Sequence, residues 1–413
     1  MNRAINLKNG ELPTGWKICK LPEFTRIVMG QSPSSKTYNH NKIGLPFFQG
    51  KAEFGDIYPQ VDKYCSEPNK IAEPGATLLS VRAPVGPTNL AKERSCIGRG
   101  LAAIHPKGDI EPKFVFYLFR SIEPDISDKG TGSTFKAVTK SFVEQLEFGL
   151  PPLDEQKRIV AKIEGLLSEL DKGVESLKTA REQLKIYRQA VLKHAFEGKL
   201  TARWREENNS VPWQKVTLGS ILSFLTSGSR GWAKYYAPEG DIFIRAQNLK
   251  HDRLELDDVA YVKLPGSSEG TRTRIQVGDM LVTITGANVT KTACVQSDLG
   301  VAYVSQHVAL CRPVGSVDPE FLYWYLVAEA AGRRQLNEAA YGAGKPGLNL
   351  DNIRMVEVTL PGLGEQREVV KKIREMLSVE EHLGNAIGEE IRRSEILRQS
   401  ILKKAYAGQL SPQ

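Results

Sequence analysis

Leu150-Pro151-Pro152-Leu153-Asp154-Glu155-Gln156 is the stretch on which the reading of this chain turns. A long run of alternating polar and apolar residues follows it and closes on Gly198-Lys199-Leu200-Thr201. Shifted by 210 positions (360 − 150), the pattern returns as Leu360-Pro361-Gly362-Leu363-Gly364-Glu365-Gln366 and closes on Gly408-Gln409-Leu410-Ser411. No gap is needed. Glu155-Gln156 falls on Glu365-Gln366, Arg188-Gln189 on Arg398-Gln399, and Leu192-Lys193 on Leu402-Lys403. A repeat of this length makes the chain a duplication, with each copy forming the same unit.

The run behind the motif reads as a helix. Ile163, Leu170, Leu177, Leu184 and Val191 recur at heptad spacing, with Ile159, Leu166, Ala180 and Tyr187 at the offset position. A 4-3 apolar repeat with Glu, Lys and Arg between is a coiled-coil seam. Asp154 is expected to cap the helix and Gly198 to end it. From 154 to 197 it would run roughly 65 Å at ~1.5 Å per residue, too long for one small domain. The second copy keeps Val369, Ile373, Met376, Leu383, Ile387, Leu397 and Ile401 in register. It places Glu380, Glu390 and Ser394 on the seam, and Gly362-Leu363-Gly364 removes the Asp cap. Two helices of this kind are expected to lie antiparallel against each other rather than to self-associate.

The segments ahead of the helices also match. Gly15-Trp16-Lys17 opens the first and Pro212-Trp213-Gln214 the second. Short β-rich runs follow: 45–48, 76–81 and 100–104, answered by 241–244, 279–284 and 307–311. Alternation between Gly and Pro breaks argues strands. Glu111-Pro112 and Asp318-Pro319 each start a helix, because Pro has no N–H to leave unpaired in the first turn. A Gly/Ser/Thr loop and a last strand complete each segment. The expected divisions are residues 1–149, 150–203, 204–359 and 360–413.

Composition narrows the function. The 413 residues are 41% apolar and 25% charged, as in a soluble globular protein. Lys and Arg number 56 against 48 Asp and Glu, a formal charge of +8 that favours a polyanionic partner. Cys19, Cys65, Cys96, Cys294 and Cys311 are scattered, which argues for free thiols in a reducing cytosol and against zinc. No apolar run reaches the ~20 residues that span a bilayer. The expected location is the cytoplasm.

No enzyme signature survives inspection. Gly342-Ala343-Gly344-Lys345-Pro346 has the wrong spacing for a phosphate loop. No Gly-x-Gly-x-x-Gly follows a strand, and there is no Asn/Asp-Pro-Pro-Tyr/Phe, His-Glu-x-x-His or Gly-x-Ser-x-Gly. His307 reads as a satisfied strand-edge residue rather than a base. The loops instead carry side chains suited to nucleic acid: Arg and Lys for guanine edges, Gln and Asn for adenine, Ser, Thr and Lys for phosphates. The candidate DNA-binding residues in the first segment are Gln31, Ser32, Ser34, Lys36, Tyr38, Gln49, Lys51, Arg82, Arg99, Ser133 and Lys136. In the second they are Ser229, Arg230, Trp232, Arg245, Gln247, Asn248, Asn288, Lys291, Lys345 and Asn349. No residue is assigned to catalysis, a cofactor or a metal.

Taken together, these motifs resemble the specificity subunit of type I restriction-modification enzymes, over nearly the whole chain. The resemblance rests on Gly15-Trp16, Gly30-Gln31-Ser32-Pro33, Ser80-Val81-Arg82-Ala83-Pro84-Val85-Gly86, Gly98 to Ile104, and the Leu-Pro-Pro-Leu-x-Glu-Gln element joined to a heptad helix. It implies an α+β fold: two target-recognition domains related by pseudo-twofold symmetry and separated by two long antiparallel coiled-coil helices. It implies that each domain reads half of a split, asymmetric double-stranded DNA site. The helices would set the spacer and dock two adenine-N6 methyltransferase subunits and, through them, the endonuclease subunit. S-adenosylmethionine and ATP would bind those partners. A self-contained DNA methyltransferase and a coiled-coil scaffold without a DNA role are the other readings.

Overall fold

A computed structural model describes residues 13–128, 137–265, 270–341 and 346–410. They form two compact units, one of the described residues up to 178 and from 388 onward, the other of those between 179 and 387. The units do not follow the sequence segments, because each long helix is divided near its middle.

In the first unit a ribbon joins the entering strand Lys17–Lys20 to Glu147–Leu150. An antiparallel sheet has the order Thr25–Met29, Leu101–Pro106, Thr77–Ser80, Thr88–Leu90. A second sheet places Leu45–Phe48 between antiparallel Lys63–Cys65 and parallel Ser95–Ile97. The second unit repeats this plan. Gln214–Thr217 pairs with Glu357–Leu360, and its main sheet runs Leu222–Ser227, Val308–Pro313, Met280–Thr283, Thr292–Cys294. Asp241–Ile244 again lies between antiparallel Ala260–Val262 and parallel Ala302–Val304.

One helix covers each main sheet: α1 (Pro112–Ser121) in the first unit and α3 (Pro319–Val327) in the second. Both start as the sequence predicts, with Pro in the first turn. The Glu111 carboxylate accepts from the Lys113 N–H, and that of Asp318 from Glu320 and Phe321. The long helices are α2 (Leu153–Phe196) and α4 (Leu363–Tyr406), each of 44 residues. Gly198 and Gly408 follow them at φ +72°, in the left-handed region that ends a helix. Asp154 does not cap α2. The helix begins one residue earlier, so Asp154 sits inside the first turn.

The Glu-Gln of the repeated motif carries out the junction between domain and helix. Gln156 accepts from the Glu111 N–H at 3.0 Å and donates to the Pro151 carbonyl at 2.9 Å. Gln366 does the same with Asp318 at 2.7 Å and Pro361 at 2.8 Å. Both side chains are buried. The amide therefore satisfies one backbone group at the entrance to the domain helix and one at the entrance to the long helix, where backbone partners run out. Trp16 donates to Glu155 at 2.9 Å, tying the entering strand to the same point. In the second unit Glu365 is buried and accepts from Arg205 and Thr201, both at 2.7 Å.

Each core contains the start of one long helix and the end of the other. In the first unit Ile159, Ile163 and Leu167 of α2 cluster with Leu402 and Tyr406 of α4 around Phe114 and Phe119. In the second, Val369, Ile373 and Leu377 of α4 cluster with Leu192 and Phe196 of α2 around Phe321. Within each unit the two helices run antiparallel, and an ion pair marks the register: Arg398 with Asp171 in the first, Arg188 with Glu380 at 3.1 Å in the second. Glu380 and Ser394 are half-buried on the seam, where the sequence placed them. The seam is narrower than the heptad reading: Tyr187, Leu383 and Leu397 are 42%, 50% and 50% exposed. One partner helix covers one stripe, and these residues lie beyond it.

Candidate nucleic-acid interface

Three loops of the first unit cross at Gly98-Arg99-Gly100. The Gly30 and Gln31 N–H groups donate to the carbonyls of Leu101 and Ile97 at 2.8 and 3.0 Å. Gly98 donates to Phe48 at 2.8 Å, and Val81 to Gly100 at 2.9 Å. The crossing requires glycine. A Cβ on Gly30 would lie 2.1 Å from the Gly98 carbonyl oxygen, and one on Gly100 2.3 Å from that of Gln49. The loops therefore hold Gln31, Ser32, Gln49, Arg82 and Arg99 in one place. All but Ser32 are exposed. Ser32 is half-buried and its hydroxyl accepts from the Arg99 N–H at 3.2 Å. Arg82 projects from a turn in which the Ser80 hydroxyl lies 2.8 Å from the Pro84 carbonyl and Gly86 donates back to Ser80 at 3.0 Å.

The second unit builds the same crossing from different residues. Ser305 donates to Ile244 at 2.8 Å, and Ile284 to His307 at 2.9 Å. A Cβ on Gly228 would lie 2.2 Å from the Val304 oxygen, so this glycine matches Gly30. Ser305-Gln306-His307 thus takes the place of Gly98-Arg99-Gly100. The loops gather Ser229, Arg245, Gln247 and Asn288, and Asn288 donates to the Ala246 carbonyl at 3.1 Å. Gln306 and His307 were not among the sequence candidates for binding. A shift of 207 positions (305 − 98) would have found them.

The remaining candidates divide by what their side chains touch. Ser34, Lys36 and Lys51 are exposed on short 3-10 turns, and Arg230 is exposed beside Ser229. Tyr38 stacks on Phe47 at 4.6 Å and donates to the Pro33 carbonyl at 2.9 Å. Burial, with the Cys65 and Cys96 thiols nearby, pushes its hydroxyl up from the ordinary tyrosine value. Burial likewise pushes Cys96 up to about 12. Trp232 is buried and stacks on Phe243 at 5.3 Å. Asn248 is buried and joins the Arg245 N–H to the carbonyls of Glu255 and Asp258. Lys291 pairs with Asp252 at 3.2 Å. Asn349 caps the short helix Leu350–Arg354 by accepting from Asn352 at 2.7 Å. These last three side chains hold the loops in shape. Ser133, Lys136 and Lys345 lie outside the described residues.

Among the described residues no cluster of His, Cys, Asp or Glu could hold a metal ion, and no helix is long and apolar enough to cross a membrane. A duplicated α+β protein with two matched loop crossings and reciprocally shared helices is the class that this geometry defines. Comparison with known proteins gives what the chain is similar to. The model of the type I restriction modification DNA specificity domain matches residues 13–185. The putative type I restriction enzyme MjaX specificity subunit of Methanocaldococcus jannaschii is 40% identical over 197 residues, 47% of this chain and 45% of that relative. The chain thus spans about half the length of that relative. The EcoKI specificity subunit of Escherichia coli is 25% identical over 98% of this chain and 91% of its own length. Two solved structures share the fold. A chain from a type I restriction-modification system, solved to explain complex assembly and conformational transition, aligns at TM-score 0.75 with 20% identity, over 97% of this chain and all of its own. The HsdS subunit of Thermoanaerobacter tengcongensis aligns at 0.55 with 21% identity, over 98% and 99%. The chain is thus similar to the specificity subunits of type I restriction-modification enzymes.

Proposed function

We infer that the chain is the non-catalytic DNA-reading subunit of a type I restriction-modification complex, and that each compact unit reads one half of a bipartite asymmetric site. The observation that carries this is the repeated crossing. One backbone frame, pinned in both units by two matching hydrogen bonds, presents Gln31, Gln49, Arg82 and Arg99 in one unit and Ser229, Arg245, Gln247, Asn288 and Gln306 in the other. Equal frames with unequal side chains suit two readers of different sequence, since base edges are told apart by donor and acceptor pattern. Two short half-sites read together give the specificity that one small domain lacks.

The repeated helices have a second task in this reading. Ile186 and Tyr187 are exposed on α2, and Ile396 and Leu397 are exposed at the equivalent place on α4. Each pair is an apolar seat for one adenine-N6 methyltransferase subunit, so two copies bind. The endonuclease subunit joins through them, and S-adenosylmethionine and ATP bind those partners in the cytoplasm. The helices also set the number of unread base pairs. Methylation mapping in a host carrying the chain with its partner subunits tests this function. It is expected to return two specified blocks around an unspecified gap, and a motif with no gap would overturn it.

A further inference from the structure

The second unit holds a cleft of about 300 Å³ beside its loop crossing. Its apolar wall is the stacked pair Trp232 and Phe243, with Tyr236 edge-on to Phe243 at 5.6 Å and 48% exposed at the rim. Three residues of the same cleft carry a buried polar atom with no hydrogen-bond partner: Trp232 Nε1, Arg245 Nε and Ser305 Oγ. Trp232 and Ser305 are only 4% and 5% exposed. Buried donors left unpaired are costly and uncommon, and three around one opening call for a ligand that pairs them. Gln306 adds an amide to the wall.

The chemistry of the missing partner can be read from these atoms. Trp232 Nε1 and Arg245 Nε are donors only, and the Ser305 hydroxyl can donate as well. The partner therefore supplies acceptors, and the aromatic wall requires it to be flat. Guanine, cytosine and thymine present a carbonyl. Adenine presents ring-nitrogen acceptors, so each of the four bases can meet these donors. A single base turned out of the duplex fits a concave aromatic site. At the matching place in the first unit Tyr38 stacks on Phe47, and its hydroxyl is bonded to the Pro33 carbonyl.

We propose that the cleft between Trp232, Tyr236 and Arg245 takes one extrahelical base of the second half-site. This rests on the DNA-reading function proposed above. The test uses the reconstituted complex without methyl donor, on duplexes carrying its mapped motif. A fluorescent base analogue is placed in turn at each position of the second half-site. One position is expected to brighten severalfold on binding, and Tyr236→Ala to abolish that rise. Trp232→Phe keeps a ring on Phe243 and removes an unpaired donor, so affinity for the motif falls about tenfold, the effect of roughly one lost hydrogen bond, while affinity for a duplex without the motif stays unchanged. If every position stays dark while the complex binds and methylates a bipartite motif, the cleft does not take a base. If the motif has no specified second half, the DNA-reading function falls and this inference with it.

Discussion

The Tyr406 hydroxyl donates to the Phe114 carbonyl at 2.6 Å, joining residues 292 positions apart in the chain. The end of α4 is thereby built into the core of the first unit. Phe196 stands at the matching point of α2, against Phe321 at 5.4 Å and Tyr325 at 5.1 Å. Tyr406→Phe should destabilise the first unit by about 1 kcal/mol, the net value of one hydrogen bond. Tyr406→Ala should cost roughly 3–5 kcal/mol, because it also opens a cavity. Denaturant unfolding measures both, and equal losses would show that the hydroxyl and not the ring holds the helix end.

Gln156 and Gln366 predict a matched pair of effects. Either change to Ala leaves a buried N–H and a buried carbonyl unpaired and should cost about 1–3 kcal/mol. Each should act on its own unit. Hydrogen exchange would show the loss around Glu111 for Gln156→Ala and around Asp318 for Gln366→Ala. A loss spread evenly over both units would contradict the junction role.

Two buried groups set the response to acid. His105 accepts from the Glu73 N–H at 3.1 Å, and burial, together with the positive charge of Arg26, pushes its ring below the ordinary histidine value. The unfolded chain takes up a proton near pH ~6.5. Stability from His105 is therefore full above that value and falls as the pH drops toward the folded one. His105→Gln should flatten the loss of stability between about pH 7 and pH 5. For Glu365, burial pushes upward, but hydrogen bonds from Arg205 and Thr201 outweigh it and hold the carboxyl below its usual range. Its contribution is present above pH ~4.3 and is lost as the pH falls through the folded value. Glu365→Gln should remove that lower step and leave the upper one.

The spacer role predicts the outcome of an insertion. One extra heptad between residues 172 and 180 adds about 10 Å of helix and keeps the seam facing its partner. Methylation mapping should show a longer unread gap and unchanged half-sites. Altered bases in either half would contradict the ruler function.

Much of this was legible in the sequence, and the reasons for the rest are physical. A heptad helix and its flanking motif recur without gaps because an insertion would turn the seam away from its partner, so 210-residue periodicity is visible at once. Acid-Pro helix starts and the glycine helix ends carry local rules and needed no tertiary context. Asp154 failed as a cap because Gln156 already serves the helix entrance, so the helix begins at Leu153. Tyr187, Leu383 and Leu397 read as seam residues by spacing alone, yet spacing does not tell how many partners a helix has. Within the loops, reading side chains were indistinguishable from supporting ones. Asn248 and Lys291 are polar because the loop frame needs buried partners, and Gln306 became visible only once strand pairing matched Ser305 to Gly98.

The central claim is that each unit reads its own half of the site from its own crossing. The direct measurement is methylation mapping of complexes carrying Arg99→Ala or Gln306→Ala in place of the unaltered chain. Arg99→Ala should relax the first half at one position, a loss of about 1–3 kcal/mol of base discrimination, and leave the second half intact. Gln306→Ala should do the reverse. If either change alters both halves, or neither, the account of two independent readers is contradicted.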